Sequence, residues 1–271
     1  MDIQPYLAKQ RKKVNRVLLS FLPKENAPPA LLSRAMRYAV LSGGKRIRPI
    51  FAMAACEAVG GKESQVTEAA CSLELIHNYS LVHDDLPCMD DDAVRRGKPS
   101  CHAKFGEVTA LLAGDALLTQ AFKVLTFSNG PKRLQAAHWI AEAVGNQGMV
   151  GGQALDMEYK GREMDLPTIE YINTHKSGSL IAISTKVGAY LGGGTPKQVE
   201  ALHRFGKYVG LLFQVVDDIM DKQGYARVIG SHEAQEEAGL LLSKAKSELS
   251  SFGRKARVLE QIAEFVVSRK D

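Results

Sequence analysis

The residues with the most chemistry to offer are two aspartate clusters, Asp84-Asp85-Leu86-Pro87-Cys88-Met89-Asp90 and Asp217-Asp218-Ile219-Met220-Asp221. Each interrupts an apolar stretch that reads as the buried face of a helix, Leu81-Val82-His83 before one and Leu211 to Val216 before the other. Like charges gathered on an apolar helix raise carboxylate pKa values or demand a counter-charge, and hard divalent cations with oxygen ligands are the usual answer. Mg2+ binds a few carboxylates and keeps positions for phosphate oxygens, so two such clusters suit a diphosphate bridged by metal ions. One solvated Asp-Asp pair at a helix end would imply nothing of the kind; two, each behind an apolar run, do.

The elements that must position these groups are helices. Leu73, Ile76, His77, Ser80, Leu81 and Asp84 follow the i, i+3, i+4, i+7 spacing of one face. Seven residues at about 100° each bring His77 and Asp84 within roughly 20° of one another, two turns apart. Pro87 predicts a helix end near Leu86, because the residue before proline avoids helical geometry. Asp90, Asp91 and Asp92 then fall on an irregular segment able to fold back over whatever Asp84 holds. In the second cluster Leu211, Gln214, Asp218 and Asp221 form a stripe, and Asp217 and Asp221 are an i, i+4 pair. Both clusters therefore close a helix, where negative charge opposes the helix dipole unless a cation is bound.

Among 271 residues, 45% are hydrophobic, ample for a sizeable core, and no composition shift marks a boundary, so one domain over 1–271 is expected. A net charge of +5 neither compels nucleic-acid binding nor excludes an anionic substrate. The basic residues are local, in Gly43-Gly44-Lys45-Arg46-Ile47-Arg48 and Arg95-Arg96-Gly97-Lys98, without interleaved aromatics, so nucleic acid is not an expected partner. Cys56, Cys71, Cys88 and Cys101 lack zinc-site spacing and read as free thiols in a reducing compartment. Met1-Asp2-Ile3-Gln4-Pro5-Tyr6 has no hydrophobic signal core, and no apolar run reads as a transmembrane segment, which predicts a soluble, cytoplasmic protein.

Helical periodicity is predicted near residues 3–21, 29–42, 46–59, 65–86, 107–127, 132–146, 167–191, 196–222, 231–251 and 256–268. The breaks coincide with Gly43-Gly44, Gly60-Gly61, Asn129-Gly130-Pro131, Gly151-Gly152 and Gly192-Gly193-Gly194. An all-α bundle of about ten helices around a central cavity follows, with Gln153, Asp156, Lys176 and Gln214 as polar residues in apolar surroundings.

With these residues in view, the chain resembles the short-chain trans-isoprenyl diphosphate synthases, most closely the bacterial farnesyl diphosphate synthases. Gly43-Gly44-Lys45-Arg46-Ile47-Arg48-Pro49, His83 to Asp90, Arg95-Arg96-Gly97-Lys98-Pro99, and Phe213 to Asp221 look like family motifs in family order. The resemblance implies the isoprenoid synthase fold, a homodimer, and Mg2+, about three ions per active site with substrate bound. The implied reaction is geranyltranstransferase chemistry, condensing isopentenyl diphosphate with dimethylallyl or geranyl diphosphate to give farnesyl diphosphate. It implies Lys45, Arg48, His77 and Arg96 for isopentenyl diphosphate, and Arg95, Lys176, Ser177 and Gln214 for the allylic substrate. Asp84, Asp90 and Asp217 would act through Mg2+, with Asp85, Asp218 and Asp221 as close or water-mediated metal partners, and Lys176 would join the catalytic set. The resemblance further implies that Tyr79, with its neighbour Ser80, sets product length; five residues put Tyr79 about 7.5 Å deeper along the helix than Asp84 but about 140° around it, so helical phase alone does not aim it at the cavity.

Two departures stand out. Ser177 replaces the family's threonine, and Asp221-Lys222-Gln223-Gly224 runs directly into Tyr225, where a Gly/Lys-rich loop is usual. A loop left out of the sequence, or a deletion, would account for the latter. The competing expectations are a geranylgeranyl diphosphate synthase of the same family, a class I terpene cyclase, and a non-enzymatic helical scaffold. The basic Lys45, Arg48 and His77 group argues against a cyclase, which needs no second diphosphate.

Overall fold

The structure is a computed structural model that describes residues 3–128 and 130–268. Met1 and Asp2 of the expected leaderless N-terminus, and Asn129 of one expected turn, lie outside the described residues. The fold is all-α. In chain order it comprises α1 (Gln4–Phe21), α2 (Ala30–Leu41), α3 (Ile47–Ala58) and α4 (Thr67–Asp84), then a two-stranded antiparallel hairpin of β1 (Val94–Arg95) and β2 (Lys98–Pro99). There follow α5 (Cys101–Phe105), α6 (Glu107–Leu125), α7 (Pro131–Val144), α8 (Met149–Glu158) and α9 (Leu166–Ile172). A π turn over Asn173–Gly178 joins α9 to α10 (Ser179–Leu191), and α11 (Pro196–Asp221), α12 (Gly224–Val228), α13 (Ser231–Glu248) and α14 (Arg257–Ser268) complete the order.

The longest helix, α11, starts where its sequence says it should. Thr195 and Gln198 form a reciprocal capping box and Pro196 supplies a preset first-turn φ. Asp165 caps α9 by accepting from the Thr168 amide at 3.0 Å. Three helices escaped the periodicity: α5 and α12 are single turns, and α8 contains Gly151-Gly152, expected as a break. Gly152 is buried, and a Cβ there would collide with the Lys176 amide and the His175 backbone, so packing of α8 on the π turn, rather than a turn, explains the glycine.

By contact the chain divides into two compact units, although the composition shows no boundary. The first holds Gln4–Ile50 and the described residues from Thr67 to Ser128. Here α4 packs along α6, with α1 and α2 beside them. Its turns from Ala69 to Ile76 are buried on every side, which explains why α4 lacks a clean apolar stripe. His77, Ser80, Leu81 and Asp84, predicted as a buried face, form the half-exposed side.

The second unit holds Phe51–Val66 and the described residues from Gly130 onward. There α11 packs against α10 and α13, and Leu212, Val215 and Val216 join Tyr225, Ala234 and Leu241 in one apolar cluster. Gln214 and Asp218 again occupy the half-exposed side, and Asp221 is exposed.

All four cysteines are free, with Cys56, Cys71 and Cys101 buried and Cys88 exposed. Among the described residues one helix, α6, is by length and composition apolar enough to cross a membrane, where none was expected. Ala110, Ala113, Gly114, Leu117 and Ala121 of that helix are buried within its unit.

Candidate active site

In the first unit the basic motif and the first aspartate motif surround the end of α4. Gly43 and Gly44 have φ of 116° and 120°, and a Cβ on Gly44 would lie 2.8 Å from the Arg96 guanidinium carbon. The double glycine therefore admits Arg96, whose Nη1 donates to the Gly43 carbonyl at 2.5 Å. Arg96 and Gly97 are the two central residues of the β1–β2 turn, both with positive φ (55° and 71°), as a two-residue hairpin twisted to match its strands requires.

Arg46 is structural. It is buried, left-handed at φ 56°, and donates to Glu74 Oε1 at 2.8 Å, Asn15 Oδ1 at 2.8 Å and the Val40 carbonyl at 2.5 Å. Arg48 differs: its Nε is buried and has no hydrogen-bond partner. Burial, and after it the charge of Arg96, lowers the Arg48 pKa to about 10 against the opposing pull of Glu74. His77 is held neutral, first by burial and then by Arg48, Arg96, Arg46 and Arg95. That corrects its reading as a cationic donor: in this setting it is a neutral imidazole among four guanidinium groups.

The helix end follows the predicted geometry. α4 stops at Asp84, and the chain folds back so that the Asp90 amide donates to the Asp84 carbonyl at 2.9 Å and the Asp91 amide to Leu86 at 3.1 Å. Asp85 is buried and accepts from Arg95 Nε at 2.8 Å and from its Nη2, while Arg95 Nη2 also reaches Asp92 at 2.8 Å. Burial raises the Asp85 pKa, opposed by the Arg95 bond. Asp85 and Arg95 thus hold each other, which brings Arg95 to the acidic loop rather than presenting both groups to a ligand. Tyr79 is buried against His83, ring centroids 5.8 Å apart, and Ser80 Oγ donates to the His77 carbonyl at 3.0 Å.

In the second unit the π turn carries Lys176 and Ser177, a widening of the helix that recurs at functional sites. Lys176 Nζ lies 2.6 Å from Asp156 Oδ2 on α8. One turn before Asp156's turn, both polar side-chain atoms of Gln153 are buried without a partner. At the end of α11, Asp218 Oδ2 accepts from the Tyr225 amide at 3.0 Å and from Asn173 Nδ2 at 3.2 Å. Lys222 closes the helix at φ 53°, and a Cβ on Gly224 would strike the Asp218 carboxylate. The junction after the second motif is thus a tightly tied connection, with Asp218 holding the turn into α12.

No three carboxylate, histidine or cysteine side chains form a ready metal cluster among the described residues. The donor set still fits Mg2+: the aspartates of both motifs offer hard carboxylate oxygens, and Cys88, the one thiol within the clusters, is exposed.

The family model of the polyprenyl synthetases matches residues 29–245, which include every site residue of this subsection except Asn15. The chain belongs to that family. Among relatives of this polyprenyl synthetase, "Geranylgeranyl pyrophosphate synthase 4" of Arabidopsis thaliana is 41% identical across 99% of this chain and 78% of its own. A chloroplastic geranylgeranyl pyrophosphate synthase of Capsicum annuum is 41% identical across 97% of this chain and 78% of its own. Among solved structures, an FPP/GFPP synthase from Zymomonas mobilis superposes with a TM-score of 0.93 at 35% identity, covering 98% of this chain and 99% of that one. The geranylgeranyl pyrophosphate synthetase of Pyrococcus horikoshii gives 0.90 at 28% identity, covering 98% of each. This polyprenyl synthetase is therefore an enzyme of the short-chain trans-prenyl diphosphate synthases, a prenyltransferase with the isoprenoid synthase fold.

The alignment with the Arabidopsis relative runs over 293 residues, more than the 271 of this chain, so that relative carries residues without a counterpart here. Sequence reasoning missed Glu74, Asn78 and Asn173. Asn78 Nδ2 donates to the Glu74 carbonyl at 2.7 Å, and Glu74 in turn neutralises Arg46. A glutamate inside an otherwise apolar helix was the available signal.

Proposed function

We propose that this polyprenyl synthetase condenses isopentenyl diphosphate with dimethylallyl and geranyl diphosphate, with Mg2+, to farnesyl diphosphate. The observation that carries the reading is the Arg48 Nε, a buried charged donor without an acceptor, together with an imidazole, His77, held neutral by burial first and by the arginines after it. An unpaired buried donor is costly, and a diphosphate is an acceptor of the right charge and size. Lys45, Arg48, His77 and Arg96 fit isopentenyl diphosphate. Bound by Asp84, Asp90 and Asp217, with Asp221 nearby in sequence, Mg2+ would supply the charge that stabilises the departing allylic diphosphate. Lys176, Ser177 and Gln214 orient that diphosphate, with Asp156 holding Lys176. As the carbon–oxygen bond breaks, the isopentenyl double bond attacks the allylic carbon. A proton then leaves the new chain to the released diphosphate.

Tyr79 supports a fifteen-carbon product, because a buried aromatic one turn deeper than Asp84 suits a floor for the growing tail. The relatives' names favour a second reading, a twenty-carbon product. Mass analysis of products from the enzyme, Mg2+ and both substrates separates the two. The first reading expects farnesyl diphosphate, with longer products from Tyr79→Ala; geranylgeranyl diphosphate from the unaltered chain would overturn it. A homodimer belongs to the same proposal. It is supported by the apolar face of α6, where Val108 is 72% and Leu112 49% exposed. Sedimentation should show a dimer, broken by Leu112→Glu. A cytoplasmic location and a single functional domain complete it.

A further inference from the structure

Outside the motifs, the second unit contains a cleft of about 370 Å³ bordered by α7, α10, α11 and the π turn. Its size falls within the range of small-molecule sites. One wall is apolar and aromatic, formed by Trp139, Ala182 and Ile183. The other is basic, formed by Lys186, His203 and Lys207. Trp139 is fixed edge-to-face on Tyr190, centroids 4.9 Å apart, and Lys186 Nζ sits 4.1 Å from the centre of the Trp139 ring.

The charges in this cleft are poorly compensated. The carboxylates here lie closest to other groups: Glu142, which lines the cleft, is 3.4 Å from His138, and Glu200 is 3.6 Å from Arg204 and 3.8 Å from His203. Neither Lys186 nor Lys207 forms an ion pair among the described residues. Burial first, then both lysines, pushes His203 down to about 4, and burial lowers Lys186 against the opposing charges of Glu200 and Glu142. Two lysines that lack a paired carboxylate bind phosphoryl groups well, and the aromatic wall beside Lys186 accepts a flat or apolar body.

We propose that this cleft is a second ligand site, for an organic phosphate whose phosphoryl group lies between Lys186 and Lys207 and whose apolar body stacks on Trp139. Trp139 is the chain's single tryptophan, so its emission reports occupancy directly.

The test is a fluorescence titration of the full chain in EDTA with phenyl phosphate, and in parallel with inorganic phosphate. Phenyl phosphate should change the emission saturably and bind at least about threefold tighter than inorganic phosphate, the increment a stacked ring adds. Lys207→Gln, at an exposed position where folding is not at risk, should weaken it at least about tenfold and leave turnover unchanged. Arg48→Ala should leave the titration unchanged, which separates this cleft from the isopentenyl diphosphate residues. No saturable response, an unaltered titration in Lys207→Gln, or loss of the response in Arg48→Ala would each overturn the proposal.

Discussion

The two acidic motifs look alike in sequence and close their helices alike, yet the protein holds them differently. At the end of α4, Asp85 is held by an arginine side chain, and three residues around it, Arg46, Asp91 and Arg96, adopt left-handed backbone at φ 55° to 57°. At the end of α11, Asp218 is held by a backbone amide and an asparagine, and Lys222 is the one left-handed non-glycine residue among those described there. Strained backbone costs roughly 1–3 kcal/mol per residue and persists where surrounding contacts over-determine it, often at binding sites. The first motif is embedded in a cationic cluster of Arg46, Arg48, Arg95 and Arg96. The second is tied to its own helix junction. In each pair the second aspartate, Asp85 or Asp218, braces its helix end, and the leading one is proposed to meet the metal.

That division of labour is most exposed by the leading aspartates. Asp84→Ala and Asp217→Ala should each lower turnover by about a hundredfold or more, the scale of losing an essential electrostatic stabiliser, with little change in melting temperature. Steady-state rates alongside thermal unfolding check it, and near-normal turnover would remove the metal assignment. Arg48→Ala should raise the KM for isopentenyl diphosphate about tenfold or more, as loss of a charge-assisted contact implies, and leave the allylic KM nearly unchanged. Equal weakening for both substrates would erase the contrast between the motifs.

The bracing residues should show the opposite balance. Asp218→Ala strands the Tyr225 amide and should cost about 1–3 kcal/mol, read as a lower denaturation midpoint. Asp218→Asn keeps an acceptor oxygen and should recover most of that loss.

The smallest effect is on pH. His77 in the first unit and His203 in the second are both held neutral, with folded pKa values below the unfolded value of about 6.5. Between those values the unfolded chain binds more protons, so stability present above about pH 6.5 is lost as pH falls, toward about pH 4 for His203. His203→Gln should flatten the fall in melting temperature between about pH 7.5 and 5.5, a window chosen above the carboxylates. An unchanged slope would show that His203 titrates normally in the fold.

The helices and their acidic ends were legible because 3.6-residue periodicity and Pro87 are local signals. What periodicity could not reveal was which side of each stripe is buried. α4 is packed from several directions, so the His77 to Asp84 stripe is its open side. Gly151-Gly152 misled for a similar reason, since glycine serves close packing on the π turn as well as breaks. The pairings of Asp85 with Arg95 and Asp218 with Tyr225 depend on a hairpin and a one-turn helix too short to leave a pattern. The motifs identified the chemistry; the partners of each carboxylate required the fold.

The central claim, that the arginine cluster serves one diphosphate directly and the aspartates serve the other through metal, is tested most directly by calorimetric titration with and without Mg2+. Isopentenyl diphosphate should bind the protein in EDTA, and binding should be lost in Arg48→Ala. Geranyl diphosphate should bind measurably only when Mg2+ is supplied, and not to Asp84→Ala. If both diphosphates bound equally well in EDTA, or both required the metal, the account would be wrong.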